Sequence, residues 1–196
     1  MSSGFEYYER LDTESVKDKE AVLKIVTEAV NDEDVYFYAA IRNHKKVIQH
    51  FTDEGGVVPL PLLLLNVLSY GNLNDYNALT LEDSRYNKAV LHAKMQVLSF
   101  LSYCATVARG KSRVYYNDLQ PALGCSSRKE VEQTLMKAIS ADLLKGALDQ
   151  ENNCVHVHSV SGRDVLLADL DQLINNLRKW EKKCEAESIL LERQTL

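Results

Sequence analysis

Hydrophobic residues recur at helical spacing along most of this 196-residue chain, and one stretch departs from that pattern. In residues 144–160, apolar and polar positions alternate along two short runs, and residues 149–153 between them are polar. Alternation with a period of two is typical of strands, so the stretch predicts a β-hairpin. Because a single hairpin is only marginally stable in water, we expect helices to pack against it.

Residues 1–79 predict a series of short helices. The first 14 residues are polar, and we expect them to be poorly ordered. Residues 15–18 match a capping box, and apolar residues at helical spacing follow them as far as Val30. A second short helix is predicted over residues 35–41. Short helices in succession are typical of a helical-repeat stack of the TPR or HEAT kind, although no fixed sequence period is present.

The most apolar run predicts a buried helix between Pro59 and Gly71, because proline suits the first turn of a helix and glycine its end. At about twelve residues, this run is shorter than the roughly twenty residues that a membrane-spanning helix needs. Residues 72–78 predict a loop. Thr80 then begins a second capping-box pattern, which predicts a long helix reaching about Ala108.

The elements that follow predict a winged helix. A minimal strand is predicted over residues 114–116, and Asn117 is the expected N-cap of a short helix that Gly124 ends. A third capping box, from Ser127 to Glu130, starts a helix with one apolar face. The hairpin follows directly. A helix-turn-helix with a hairpin behind it is the winged-helix arrangement.

The last segment predicts one long helix with an apolar stripe. Asp164 is its expected N-cap, and apolar residues recur after it in alternating steps of four and three. Such a stripe is typical of coiled-coil packing, and a small winged helix cannot cover all of it. We therefore expect the stripe to contact a partner. The stripe consists of Leu166, Leu170, Leu173, Leu177, Trp180, Cys184, Leu190 and Leu191.

Composition and charge narrow the class of protein. The chain is 45% hydrophobic and 26% charged, which is ordinary for a globular protein. Its net charge of −5 argues against a dedicated nucleic-acid binder. The four cysteines are far apart and form no C-x-x-C pair, which indicates reduced thiols in an intracellular protein. The acidic, aromatic N-terminus matches no targeting peptide. We expect a cytoplasmic and nuclear location.

Cys154, His156 and His158 alternate on the second strand of the hairpin, so all three could face one metal ion. However, no fourth ligand is near in the sequence, and alternate residues of a strand are about 7 Å apart. We therefore predict neither a metal site nor a cofactor, and we interpret this face as an exposed or partner-facing surface.

No sequence motif indicates catalysis. The chain has no G-x-S-x-G, no phosphate-binding glycine loop, no H-E-x-x-H and no catalytic cysteine motif. Carboxylates cluster at residues 32–34 and 82–83, where the N-termini of predicted helices account for them. We predict that the chain is not an enzyme.

Nucleic-acid binding is an alternative, because a winged helix can read DNA through its second helix. The helix from Ser127 carries three basic and two acidic residues. Its expected outward face has no cluster of Arg, Asn and Gln residues, which direct reading of bases requires.

Four strings resemble the PCI family, which is shared by the COP9 signalosome, the proteasome lid and translation initiation factor 3. They are LLLNVLSYGNLNDY at residues 63–76, ADLLKGALDQ at 141–150, GRD at 162–164, and the tail from Trp180 to Glu185. The resemblance covers residues 35–184, and the order and spacing of the strings make it specific.

The resemblance implies a mainly α fold. A helical-repeat bundle over residues 1–79 and a winged-helix subdomain over residues 80–165 would form the PCI domain, followed by a C-terminal assembly helix over residues 166–196. It also implies a non-catalytic scaffold subunit of the signalosome, which removes the ubiquitin-like protein NEDD8 from cullins with a metal-dependent protease in another subunit. The alternatives are a PCI subunit of initiation factor 3 or of the proteasome lid, and a nucleic-acid-binding adaptor.

We predict that the chain assembles through its wing and its last helix, since an open strand edge and an uncovered apolar face both favour association. The expected partners are other PCI subunits of the signalosome and its helical bundle, with no membrane involved. The predicted partner-binding residues are Leu144, Leu148, Val155, Val157, Leu166, Leu170, Leu173, Leu177 and Trp180.

Overall fold

The computed structural model describes residues 4–13, 18–51, 59–108, 110, 112–166 and 169–194, without the side chains of residues 189, 190 and 192–194. Within these ranges the fold is mainly helical with one three-stranded sheet, which confirms the predicted class. The elements are α1 (Gly4–Asp12), α2 (Lys19–Asn31), α3 (Ala39–Arg42), α4 (Lys45–Phe51), α5 (Leu60–Tyr70), α6 (Leu73–Asn77), α7 (Lys88–Thr106), β1 (Arg113–Tyr115), α8 (Tyr116–Leu123), α9 (Arg128–Ser140), β2 (Leu144–Asp149), β3 (Cys154–Val160) and α10 (Leu170–Gln194).

Helix α1 belongs to the core, so the expectation of poor order is wrong for residues 4–13, while residues 1–3 and 14 lie outside the described residues. It buries Tyr7 and Leu11, which lie one turn apart on one face. The Tyr7 hydroxyl donates a hydrogen bond to the Asp32 carboxylate at 2.8 Å. Lys46 Nζ donates to the carbonyl oxygen of Leu11 at 2.7 Å. The helix was not predicted because only two of its residues are buried, so its overall composition is polar.

The helix predicted to follow residues 15–18 is confirmed as α2, and it ends at Asn31, where the acidic break was expected. Residues 15–17 of the predicted capping box lie outside the described residues. Asp18 is the N-cap of α2, but its side chain makes no capping hydrogen bond.

The helix predicted over residues 35–41 is largely wrong, because residues 35–38 are not helical and α3 is a single turn. Tyr38 is fully buried, and its hydroxyl donates to the carbonyl oxygen of Val35 at 2.6 Å. Both apolar residues therefore fill the core from an irregular segment. The apolar spacing of residues 35–38 reflects burial in the core, although their backbone is not helical.

Helix α5 confirms the apolar helix between Pro59 and Gly71, with Pro59 as its N-cap. The loop predicted over residues 72–78 is instead helix α6. The Asn72 side chain accepts backbone N–H bonds of the first turn, and the Asp75 carboxylate accepts the Asn72 N–H at 2.8 Å. This is a reciprocal capping box with Asp in the position where Glu or Gln is usual.

The long buried helix is confirmed as α7, but its start is not at Thr80. Asn87 is the N-cap, while the Asp83 carboxylate binds the guanidinium of Arg85. The Asn31 side chain accepts the N–H of Asn87 at 2.9 Å and donates to the carbonyl oxygen of Arg85 at 2.7 Å. The start of α7 is therefore set by a contact with the end of α2.

Residues 113–160 form the predicted winged helix. Gly124 ends α8 in the left-handed conformation, and the Ser127 hydroxyl accepts the N–H of Glu130 at 3.3 Å at the start of α9. Asn117 is not the N-cap of α8. Tyr115 takes that position, because β1 runs into α8 without a connecting loop.

The three strands are antiparallel in the order β1-β3-β2, so the hairpin gains a third strand. The register is irregular between Lys145 and Gly146, where the strands of the hairpin approach closely. A Cβ atom added at Gly146 would lie 2.2 Å from the carbonyl oxygen of His156. The close approach therefore requires glycine at this bulge.

Arg163 and Asp164 bind the segment after the hairpin to the helical part. The Asp164 carboxylate accepts the N–H groups of Tyr38 and Ala39 at 2.9 and 3.0 Å. Asp164 thus caps α3, and its predicted role as the N-cap of the last helix is wrong. Arg163 donates to the carbonyl oxygen of Gly71 at 2.7 Å. The helical part and the winged helix accordingly share one hydrophobic core.

The chain divides into two compact units, residues 1–164 and residues 165–196. The first contains the core and the sheet. The second contains α10, a helix of 25 residues. Among the described residues, no helix combines the length and apolar character needed to cross a membrane. The predicted boundary between residues 79 and 80 stays a prediction.

Candidate functional site

The sheet has an open edge along β2. In the strand order β1-β3-β2, β2 pairs only with β3 within the described part of the chain. One row of its backbone N–H and C=O groups therefore has no strand partner, and such a row can accept a strand from another chain. Lys145 and Ala147 are exposed on this strand.

Two of the four predicted partner-binding residues on the hairpin belong to the core. Leu144 is 1% exposed and Val155 is 0% exposed, so their side chains cannot contact a partner. Leu148 and Val157 are half-buried and pack against the same core. A partner at this edge would contact the backbone of β2 together with exposed side chains such as Lys145. The alternating pattern predicted the strands but not how deeply each side chain is buried.

Helix α10 presents an exposed apolar stripe. Its 25 residues extend over about 37 Å. Gln172, Asn175 and Lys179 lie on the opposite side of the helix, so the helix is amphipathic. Ile174, which was not among the predicted residues, also lies on the stripe and is 43% exposed. The predicted residues of this segment are exposed by 40% at Leu166, 40% at Leu170, 46% at Leu173, 55% at Leu177 and 65% at Trp180.

A cluster of possible metal ligands lies at the turn end of the hairpin. Cys154 pairs with Asp149 across the ladder, and His156 follows two residues later on the same face of β3. One ligand atom of each residue lies within 4.8 Å of the other two. His158 is exposed and outside this group. Sequence reasoning missed Asp149, because it was assigned to the turn and the register of the hairpin was unknown.

The turn holds the Asp149 carboxylate in position. Its Oδ1 accepts the Asn152 N–H at 2.9 Å, and its Oδ2 accepts the Asn152 side-chain amide at 2.9 Å. His156 Nε2 lies 3.3 Å from Asp149 Oδ2. The bonds from Asn152, followed by the contact with His156, lower the pKa of Asp149 to about 2, so the carboxylate is charged at neutral pH.

A cavity of about 660 Å³ opens between the segment after α2 and helices α7 and α9. Glu33 and Asp34 line one side, and Lys137 of α9 lines another. Met136 and Ile139 of α9 are 57% and 37% exposed. This mixture of acidic and apolar surface does not supply the dense positive charge that contacts with nucleic-acid phosphates require.

Lys94 also lines this cavity, although it is only 2% exposed. Its Nζ donates to the carbonyl oxygen of Val30 at 2.8 Å and to the Tyr38 hydroxyl at 2.6 Å. Burial lowers its pKa to about 8, although the carboxylates of residues 32–34 act in the opposite direction. Sequence reasoning missed Lys94. A single cation within the apolar part of α7 is the signal that could have identified it.

Comparison with known proteins matches residues 73–159 to the PCI domain family. These residues run from α6 through α7 to the last strand of the winged helix. The chain is 32% identical over 122 residues to COP9 signalosome complex subunit 7a of Pongo abelii, covering 62% of this chain and 42% of that protein.

Two further relatives show a similar resemblance. The chain is 26% identical over 163 residues to COP9 signalosome complex subunit 7 of Dictyostelium discoideum, covering 82% of this chain and 59% of that protein. It is 36% identical over 87 residues to eukaryotic translation initiation factor 3 subunit M of Nematostella vectensis, covering 44% of this chain and 22% of that protein. The chain thus spans about two fifths to three fifths of the length of these signalosome relatives. Together with the winged helix described above, these similarities show that residues 73–159 match the PCI domain and that the chain resembles COP9 signalosome subunit 7.

Proposed function

We propose that this chain is a non-catalytic scaffold subunit of the COP9 signalosome. The PCI domain and the relatives named as signalosome subunit 7 support this assignment. In this proposal the complex removes NEDD8 from cullins with a protease in another subunit, and this chain positions its sister subunits. It acts in the cytoplasm and the nucleus, where its free cysteines stay reduced.

The exposed stripe of α10 is the observation that carries the assembly proposal. Complete burial of a large apolar side chain is worth about 1.5–3 kcal/mol. Since about half of each stripe side chain is exposed, covering Leu170, Leu173, Leu177 and Trp180 would contribute about 1 kcal/mol for each residue. This gain favours a helical partner. The open edge of β2 offers a second contact, through backbone hydrogen bonds.

The test replaces Leu170, Leu173 and Leu177 together with Asp. We expect the triple variant to lose co-purification with sister signalosome subunits, because three carboxylates cannot be buried in a helical interface. Far-UV circular dichroism and the thermal unfolding of the first unit should remain unchanged, since these residues lie outside the core.

A matched control replaces Gln172, Asn175 and Ala186 with Asp, which adds the same negative charge away from the stripe. The control should retain the partners. Undiminished capture of sister subunits by the leucine variant would contradict assembly through α10. Equal loss in both variants would show an effect of charge rather than of the stripe.

A PCI subunit of a different complex is the second candidate, and the similarity to initiation factor 3 subunit M favours it. The proteasome lid is the other such complex expected from the sequence. Purification of the tagged chain from its own cells, with identification of partners by mass spectrometry, distinguishes the three. Recovery of initiation-factor or lid subunits in place of signalosome subunits would refute the first proposal and leave the PCI scaffold role in place.

A further inference from the structure

We propose that Asp149, Cys154 and His156 form a zinc site at the turn end of the wing, with a water molecule as the fourth ligand. Carboxylate oxygen, thiolate sulfur and imidazole nitrogen are the ligands that Zn²⁺ takes in proteins. Three protein ligands and one water are the pattern of a zinc site with an open position. The sequence-based expectation of no metal site took His158 as the third possible ligand, whereas in the structure the third ligand is Asp149.

The distance between two of the ligand atoms fits a tetrahedral ion. At zinc–ligand distances of about 2.0–2.2 Å, tetrahedral geometry places a nitrogen and an oxygen ligand about 3.3–3.5 Å apart. His156 Nε2 and Asp149 Oδ2 are 3.3 Å apart. A hydrogen bond between such groups is most often about 2.9 Å long. The Cys154 sulfur completes the triangle, with each separation within 4.8 Å.

The hairpin prepares the ligands before any ion is bound. Cys154 and Asp149 are direct partners in the β-ladder, so their backbone positions are fixed by cross-strand hydrogen bonds. Asn152 donates two hydrogen bonds to the Asp149 carboxylate, and such outer contacts orient metal ligands. Cys154 is fully buried, while Asp149 and His156 are half-buried. The ion could therefore enter from the side of the carboxylate and the imidazole.

Cobalt titration of the full, reduced chain tests the site. Binding of Co²⁺ should release the Cys154 thiol proton to solvent and produce a sulfur-to-cobalt charge-transfer band in the near ultraviolet. Visible bands of tetrahedral intensity should accompany it, and added Zn²⁺ should abolish both. Asp149→Asn and His156→Ala should each weaken Zn²⁺ binding more than about 100-fold, since loss of an outer contact alone costs about 10- to 100-fold.

Two controls separate the site from other ligands of the chain. His158→Ala removes the neighbouring histidine, and Cys184→Ser removes the exposed cysteine of α10. Both variants should keep the affinity and the spectrum of the wild type. Cys154→Ser should lose the charge-transfer band. If this buried substitution prevents folding, the half-buried Asp149 and His156 variants still test the site, because circular dichroism verifies their folds.

Absence of a charge-transfer band in the wild type would overturn the proposal, and the contact between Asp149 and His156 would then be a hydrogen bond only. A band that survives Cys154→Ser would equally overturn it. So would an equal loss of affinity in the His156→Ala and His158→Ala variants. None of these measurements depends on the partner complex, so the zinc site can fail while the scaffold assignment stands.

Discussion

Replacing Lys94 with Met tests whether a buried cation lowers the stability of the fold at neutral pH. Lys94 is 2% exposed, and burial lowers the pKa of its ammonium from 10.5 to about 8. The folded protein therefore releases this proton at a lower pH than the unfolded chain does. Between pH 8 and pH 10.5 the unfolded chain binds more protons, so the free energy of unfolding rises with pH in this window.

The size of the effect follows from the two pKa values. The difference between 10.5 and about 8, at 1.36 kcal/mol for each pH unit, corresponds to a cost of about 3 kcal/mol below pH 7. Part of this cost disappears as the ammonium of the folded state titrates. From pH 7 to pH 9 the wild type should gain about 1 kcal/mol relative to the Met variant.

Urea unfolding followed by far-UV circular dichroism at pH 7, 8 and 9 measures this gain. The quantity of interest is the unfolding free energy of the wild type minus that of Lys94→Met at each pH. Met has a volume similar to that of Lys. The loss of the hydrogen bonds to Val30 and Tyr38 adds a constant to this difference, and the constant cancels when values at different pH are compared. Measurements stay below pH 10, because burial raises the pKa of Tyr38 well above its usual value and its unfolded form titrates there.

The control is Lys129→Met, which removes a lysine from an exposed position on α9. Its difference from the wild type should stay constant over the same pH range, since no burial cost is involved. A difference for Lys94→Met that is also constant within about 0.3 kcal/mol would refute the reasoning. Lys94 would then remain charged in the folded protein up to pH 9, and Tyr38 and the Val30 carbonyl would compensate for its burial.

Two further predictions test contacts within the fold, and a third tests nucleic-acid binding. Asp164→Ala should lower the unfolding free energy by about 1–2 kcal/mol in urea, because two backbone N–H groups at the start of α3 lose their acceptor. Gly146→Ala should cost about 1–3 kcal/mol, since its Cβ would meet the His156 carbonyl oxygen, whereas Gly162→Ala should change thermal stability little, because its Cβ meets no atom within 4 Å. A gel shift at low salt should detect no DNA or RNA binding. A salt-dependent shift would instead support the nucleic-acid alternative.

The elements predicted correctly are those whose signals lie within a few residues of one another. Pro59 and Gly71 bound α5 as expected, and Ser127 caps α9 through the N–H of Glu130. Local capping and alternation determine such elements, because the groups that form the hydrogen bonds are neighbours in the sequence. Asn72 carries an equally local signal, which was missed because its partner Asp75 is an uncommon choice in a capping box.

The residues that were missed or misassigned bind groups far away in the sequence. Asp164 caps a helix that begins at Ala39, and Lys94 binds the carbonyl oxygen of Val30. Asp149 joins Cys154 only through the register of the hairpin, which the sequence pattern leaves open. A polar residue in an apolar context indicates that a partner exists. Which residue is that partner depends on the tertiary fold, because the fold decides which distant segments come into contact.

The same distinction decides which of the predicted partner-binding residues can serve assembly. Alternation along the hairpin marks apolar residues, but a strand within a packed domain uses them for its own core, as Leu144 and Val155 show. The stripe of α10 has a helical period and remains exposed at Leu177 and Trp180. Exposed side chains can bury apolar area only when a partner arrives, whereas buried ones have already contributed to folding. In the proposed assembly, side-chain specificity for a partner would therefore reside in α10, and the wing would contribute the backbone edge of β2.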